Sequence, residues 1–461
     1  MRPISRRTFI AGTAAAVAAP ALRTPASAQS GEVDVAIVGA GAAGIAAARR
    51  VMAAGGRVAV FEANDRIGGR CVTDTRTFGV PFDRGAHWIP DPDVNPLAKL
   101  APRPGFDIYP APPGQKLRIA RRYAREGEME DFLSAWVRTS RALSEAGRKA
   151  DQSCAQALPK DLGEWRPTIE FALGPYAYGK DLADLSAADF ARSAERNPYA
   201  FCRQGFGSLL TRLGANLPVR LSTPVIRVDW SRGAEVHTDR GRLTAGAVIV
   251  AVSTNLLTSG KIKFTPDLPK RQLDAAGRVG LGSYDHIAVE LADNPLNLQQ
   301  DEIIFEKTDS RRTAGMLANI SGTPLSVIDV GGRFGRELAA GGEAAMIAFA
   351  GDWLANLYGS DVKKSLRRTA ATRWNEEPWV LGAISAAAPG GQASRRVLAE
   401  SLGNKVWFAG EAVHETLWGT VGGAWESGER AAEAALRRLG IIKEPTPTRA
   451  APKAPPKRRR R

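Results

Sequence analysis

Three glycines, Gly39, Gly41 and Gly44, stand at G-x-G-x-x-G spacing, and Glu62 follows 18 residues after the last of them. Together they are suited to holding a dinucleotide. Gly39 allows a tight turn, Gly41 lets the backbone approach a pyrophosphate, and Gly44 lets a helix that includes Ala43 pack on the preceding strand. The free N–H groups of that helix face the phosphates. The carboxylate of Glu62 can accept hydrogen bonds from ribose hydroxyls, and it disfavours a 2′-phosphate. Just beyond it, Gly68-Gly69-Arg70 is placed to wrap the pyrophosphate a second time. The other reactive side chains point nowhere comparable. His87, His237, His286 and His414 lack metal-ligand spacing. Cys71, Cys154 and Cys202 are far apart with no CxxC pair, so neither a metal site nor a disulfide framework is expected.

These residues need rigid elements to hold them. Val33 to Val38 is a short apolar run suited to a buried parallel strand, helix formers continue to Ala54, and a second apolar run from Arg57 to Phe61 ends at Glu62. Ala245 to Ser253 reads as another buried strand returning to the same unit. Between the nucleotide-binding pieces, residues 100–200 read as helices with loops, among them "MEDFLSAWVRTSRALSEAGRKA". Residues 256–395 mix strands such as "SYDHIAVEL" and "AAMIAFAG" with the amphipathic stretch "DVKKSLRRTAATRW". No internal repeat is visible.

With 461 residues the chain is too long for one ordinary core, and two interleaved domains are expected. The 44% hydrophobic content is that of a soluble globular protein. Taking the four arginines of residues 1–29 and the seven basic residues of 449–461 away from the net charge of +15 leaves +4 for the body. That distribution argues against a nucleic-acid partner. The Pro/Ala/Lys/Arg-rich end, residues 442–461, reads as a disordered basic tail. At the front, "SRRTFIAGTAAAVAAP" carries Arg6 and Arg7 ahead of an Ala-rich run closed by Ala26-Ser27-Ala28. A basic start, a short apolar run and a small-x-small end make a secretory signal over residues 1–29. The paired arginines resemble a twin-arginine signal, which implies export of a folded protein by the Tat machinery to the periplasm or beyond. The run falls short of the ~20 residues that span a bilayer, so no stable membrane insertion is expected.

The second glycine motif together with the first resembles the FAD-binding signature of the flavin amine oxidase family. Further segments repeat the resemblance in order along residues 32–440. Ala86, His87 and Trp88 match the segment that runs beside the flavin, and "RQGFGSLLTRLGANLPVRLSTPVIRVDW" matches a Gly-rich helix with its strand pair. Within the latter, Val225 takes the position whose backbone meets the adenine. Phe408-Ala409-Gly410-Glu411 matches the strand end beside the ribityl chain and pyrophosphate, and Thr420 and Val421 lead into a last helix aimed at the flavin. The fold implied is α/β, a doubly wound FAD-binding domain (32–99, 201–255 and 399–441) interrupted by an α+β substrate domain (100–200 and 256–398).

The resemblance also implies an activity. An amine would lose a hydride equivalent from the carbon bonded to nitrogen, and O₂ or another acceptor would then reoxidise the flavin. His286 stands where the family carries a lysine that holds a water near flavin N5. Trp374 is retained as a pocket wall. The covalent-flavin cysteine of some members is replaced by Ala383, which implies non-covalent FAD. The two cage aromatics fall on Ile384 and Thr420, and Trp418 or Trp88 could restore an aromatic surface. An L-amino-acid oxidase would need an arginine for the substrate carboxylate, and the place after Gly85-Ala86 holds His87-Trp88 instead. Another FAD-dependent oxidoreductase and a non-catalytic flavin-binding protein with a degenerate site are the remaining alternatives.

Overall fold

The computed structural model describes residues 32–101, 105–193 and 196–443; residues 1–29, where a signal is expected, and the expected basic tail from 444 on lie outside them. The first strand, Glu32–Val38, alternates between two cores. Val35 and Ile37 face one hydrophobic cluster and Ala36 and Val38 the other, the period-2 pattern of a strand buried on both sides. It pairs in parallel with Val58–Phe61 and with Gly241–Val250. Val219–Arg220 and Val406–Phe408 extend the parallel set. The eight-stranded sheet is completed by Ala234–Thr238, antiparallel to Gly241–Val250, by Val225–Asp229, antiparallel to Ala234–Thr238, and by Lys263–Thr265. That last strand falls in the segment the sequence assigns to the substrate domain. Its parallel pairing with Val225–Asp229 moves it to the nucleotide domain.

Helices Ala42–Ala53 and Val421–Arg438 cover one face of this sheet. Gly428 makes their close crossing possible, because a Cβ there would lie 2.0 Å from the Ala43 carbonyl oxygen. Parallel strands closed by helices place their carboxyl ends along one edge. Gly39, Glu62, Ala251 and Gly410 all emerge there.

A second sheet of seven strands forms the other domain. Its longest pairing is the antiparallel pair Tyr284–Leu291 and Leu325–Gly331. Lys116–Ile119 and Arg122–Tyr123 join its far edge ahead of the long helix Glu126–Lys149, so the 100–200 segment supplies strands as well as helices. Two readings of the sequence are corrected here. "AAMIAFAG" lies in the helix Glu343–Tyr358, where Met346, Ala350, Trp353, Leu354 and Leu357 are buried at helical spacing. Gly342 and Gly359, both at positive φ, bound it. In "DVKKSLRRTAATRW" the helix is one turn, Val362–Ser365, and the chain continues as the strand Leu366–Ala371 against Tyr284–Leu291. There Arg368 forms a bidentate pair with Glu290. No helix among the described residues is long and apolar enough to cross a membrane.

Candidate functional site

At the carboxyl edge of the first sheet, the turn Gly39–Gly44 has the geometry its spacing implies. Gly39 sits at φ +99° against the Ala251 carbonyl, and a Cβ on Gly44 would fall 1.9 Å from the Gly39 oxygen. The helix that follows has no side-chain cap and no acid in its first turn. Its unpaired N–H groups and positive dipole end are therefore left for an anion. Gly41 is bridged to Gly68, and a Cβ on Gly69 would come within 3.2 Å of the Gly41 Cα. The two glycine turns thus form one cradle, open to a diphosphate because neither carries a side chain.

Glu62 is buried at the end of Val58–Phe61. Its Oε2 accepts from the Ala40 amide at 2.7 Å and its Oε1 from the Asn64 amide at 2.9 Å. Carboxylate oxygens keep further lone pairs, so Glu62 can still receive ribose hydroxyls. The chain leading into Val225 passes alongside, with the Thr223 amide donating to the Glu62 carbonyl at 2.8 Å.

Arg70 and Glu411 join these turns to the second domain. Arg70 Nη1 donates to Glu411 Oε1 at 2.8 Å and to the Ala383 carbonyl at 2.5 Å. Glu411 also accepts from the Ser385 hydroxyl at 2.5 Å and from the Gly419 amide at 2.8 Å. Burial alone would raise its carboxyl, but the Arg70 charge, the Ser385 hydroxyl and the Arg395 charge outweigh burial and hold it below the usual range. The side chain of Glu411 is therefore spent on protein donors. Thr420 accepts from the Gly423 amide at 2.9 Å and so caps the helix that begins at Val421. Gly410 donates its amide to Ser427 Oγ at 2.8 Å.

The segment from Asp83 to Trp88 is fixed from several sides. Asp83 receives the His87 ring at 2.8 Å and the Phe206 amide at 3.0 Å. The Ala86 amide donates to the Arg70 carbonyl at 3.1 Å. Trp374 Nε1 donates to the Arg84 carbonyl at 2.9 Å, and its ring lies so close to Gly85 that a Cβ there would meet it at 3.0 Å. Trp374 is thus buried against this segment. Trp88 packs edge-on to Tyr199 and Phe201. His286 reaches the same segment from the second sheet. Its Nδ1 lies 2.5 Å from Asp329 Oδ1 and its Nε2 lies 2.8 Å from the Gly85 carbonyl oxygen. Both ring nitrogens are occupied, so in this arrangement neither holds the water expected of the lysine position.

Trp418 departs from the sequence reading. It is wholly buried, tilted on Tyr178 with ring centroids 5.0 Å apart and lying 4.7 Å from the Arg395 guanidinium. It belongs to the core and restores no aromatic pocket surface. Ile384 is half-buried, and its methyl group lies 2.8 Å from where a Gly419 Cβ would stand. Sequence reasoning missed Asp329, Asp285 and the Arg395–Asp189 pair. Arg395 and Asp189 are fully buried and joined by two bonds of 2.8 and 2.7 Å. Arg395 Nη1 is held by the Ala412 carbonyl at 2.9 Å and Ser385 Oγ at 3.3 Å. No local pattern marks partners 206 residues apart.

A family model described as flavin containing amine oxidoreductase matches residues 42–436. Human lysine-specific histone demethylase 2 is 27% identical over 452 residues, covering 87% of this chain and 53% of that protein. Mouse lysine-specific histone demethylase 1B is 27% identical over 439 residues, covering 87% and 52%. The chain spans about half the length of these curated relatives. Among solved structures, putrescine oxidase bound to putrescine superposes with a TM-score of 0.75 at 22% identity, over 88% of this chain and 99% of that one. Cyclohexylamine oxidase from Brevibacterium oxydans superposes with a TM-score of 0.73 at 20% identity, over 89% and 100%. At these identities the two structures speak to the fold.

Proposed function

The chain belongs to the flavin-containing amine oxidoreductase family, and from that premise we propose that it is an FAD-dependent oxidase of a small primary or secondary amine or a polyamine. The observation that carries this reading is the cradle of Gly41 and Gly69, joined through Arg70, Glu411 and Ser385 to the segment that begins at Ala383. It fits a dinucleotide flavin at the meeting of the two domains.

The residues divide the work. The Gly39–Gly44 turn and the helix N-terminus hold the diphosphate, with Ala43, Gly69 and Arg70 beside it. Glu62 holds the ribose, and the backbone at Val225 meets the adenine. Gly410, Glu411, Thr420 and Val421 bring the capped helix toward the cofactor, Glu411 by orienting Arg70 and the Gly419 turn. Ala86, His87 and Trp88 run beside the ring system. Bound flavin supplies the acceptor for the hydride equivalent. The protein must present the amine uncharged, although a free amine is protonated at neutral pH. In this reading Ile384, Trp88 and Trp374 supply the apolar contacts that favour the neutral form by desolvation. Ala383 offers no thiol, so the flavin is held without a covalent bond.

An amino-acid substrate would require an arginine facing the pocket. Arg395, the buried arginine beside Ser385, commits its guanidinium to Asp189, Ala412 and Ser385. A simple amine is the better fit.

The test is anaerobic mixing of the flavin-loaded chain with primary amines, secondary amines, polyamines and L-amino acids, followed by the visible absorbance of oxidised flavin. Bleaching by an amine, followed by recovery and hydrogen peroxide on admission of O₂, is expected. Bleaching by amino acids alone would replace the substrate class. No bleaching by any donor would leave a flavin-binding protein.

A further inference from the structure

His286 stands directly opposite Asp329 across the antiparallel pair Tyr284–Leu291 and Leu325–Gly331, so the two side chains share one face of the sheet. The ring touches two groups, the Asp329 carboxylate at 2.5 Å and the Gly85 carbonyl at 2.8 Å. Both are acceptors. A neutral imidazole has one N–H and can serve only one of them, whereas an imidazolium serves both. Burial pulls the His286 pKa down, but the Asp329 charge and the two hydrogen bonds outweigh it and raise it above the ordinary value.

The surroundings add one further charge, Asp285, which acts on the ring in the same direction as Asp329 and less strongly. On the same strand, the Tyr284 ring lies 5.6 Å away with Tyr176 behind it. Asp285 points to the other side of the strand, toward Trp374 and Thr372. Thr372 holds the His286 main chain in both directions at 2.9 Å. Beside Gly85, Arg70 is turned to Glu411 and Arg84 lies 3.9 Å from Asp74.

We propose that Asp329 is a positioning residue that keeps His286 a fixed cation, and that this cation grips the backbone of the flavin-side segment at Gly85 in place of holding a water. The structural consequence is a tie between the second sheet and the one segment where Gly85, pressed between the Arg70 carbonyl and Trp374, has no room for a side chain. The chemical consequence is a positive charge behind that segment that does not titrate in the range where an ordinary histidine does. The placement of flavin along Gly85–Trp88 comes from the function proposed above; the charge state of the pair does not depend on it.

Two variants separate charge from geometry. In Asp329→Asn, the amide Nδ2 donates to His286 Nδ1 while Nε2–H keeps the Gly85 carbonyl, so the bonds persist and the ring becomes neutral. In His286→Gln, the amide N–H keeps the Gly85 bond without any charge. The experiment is ¹⁵N NMR of the histidine rings in the flavin-loaded full chain, which has only four histidines, with His286→Gln identifying the signal. Both ring nitrogens of His286 should be protonated throughout ~pH 5–8 in the parent protein, and one only in Asp329→Asn. The rate of flavin reoxidation should be flat over that range in the parent and acquire a titration in Asp329→Asn. Loosening of a charge-assisted bond to a neutral one should raise the FAD dissociation constant about 5-fold in both variants. A His286 ring that titrates in the parent near the ordinary histidine value would overturn the proposal, whether or not any amine reduces the flavin. A doubly protonated ring in a protein that no amine reduces would sink the oxidase reading and leave the pair standing.

Discussion

Glu62 and Asp285 are both buried carboxylates, yet they answer to different partners. Glu62 has an amide on each oxygen. Glu62→Ala removes the ribose acceptor and strands those amides, at about 1–3 kcal/mol for each buried polar group left unpaired. FAD affinity should fall ~5- to 150-fold, read by titrating the apoprotein and following flavin fluorescence. An unchanged affinity would move the nucleotide elsewhere. Asp285 is lopsided: Oδ1 accepts from the Trp374 amide at 2.8 Å and from Thr372 Oγ1 at 3.0 Å, while Oδ2 is buried with no partner. Burial, working against those two bonds and the His286 charge, pushes its carboxyl up to about 6. A folded pKa above the unfolded one means that the folded chain binds the proton more tightly. The stabilising contribution is therefore present below about pH 4 and is lost as pH rises through about 6. At neutral pH the ionised carboxylate is a cost. Asp285→Asn keeps Oδ1 and removes the charge, so it should stabilise the fold at pH 8 by as much as about 3 kcal/mol and do little at pH 4. Thermal melts at the two pH values check this; an equal change at both would assign the effect to packing rather than to ionisation.

At the scale of elements, the crossing of Ala42–Ala53 with Val421–Arg438 decides whether the phosphate turn exists. A methyl group at Gly428 would sit 2.0 Å from the Ala43 oxygen, at the first turn of the phosphate-facing helix. Gly428→Ala must push the two helices apart, at about 1–3 kcal/mol of overpacking, and should weaken FAD binding as well as lower Tm. Gly127, near the start of Glu126–Lys149, meets nothing within 4 Å. Gly127→Ala should leave FAD affinity alone and raise stability by about 0.4–1 kcal/mol. Calorimetry with and without FAD separates the two. This crossing also shows what the sequence made legible. The strand–helix–strand–acid run from Glu32 to Glu62 and the closing helix carry their signals locally, in glycine spacing and apolar periodicity. The helix Glu343–Tyr358 is hidden in "AAMIAFAG" because those eight residues are apolar throughout, and the helical spacing appears only once Trp353, Leu354 and Leu357 are included. Asp329 and Asp189 stayed invisible for another reason. Each acquires its meaning from a partner brought up by strand register or domain contact, 43 residues away for His286 and 206 for Arg395. For Trp418, sequence gives the residue type but not the Tyr178 ring that covers it.

The whole molecule sets the order in which cofactor and fold can come together. The flavin site as proposed draws on residues 39–44, 62, 68–70, 85–88, 225, 383–385 and 410–421, contributed by both sheets and by the contacts that tie them. No single stretch of chain can hold FAD, so binding must wait for the complete fold. It then stabilises that fold by about 2.7 kcal/mol when free FAD is a hundredfold above its dissociation constant. A chain threaded through a membrane unfolded would have to find FAD on the far side, whereas one exported folded carries it across. This is the physical case for the twin-arginine reading of Arg6 and Arg7, which lie outside the described residues. Replacing both with lysine keeps the charge and the apolar run but removes the paired arginines. The double variant should remain inside the cell as folded protein, with the flavin absorbance of the parent in the retained pool. Cell fractionation with absorbance spectra reads both quantities. Normal export of the double variant would assign the segment to a general secretory route, and retention without flavin would break the link between completed folding and cofactor loading.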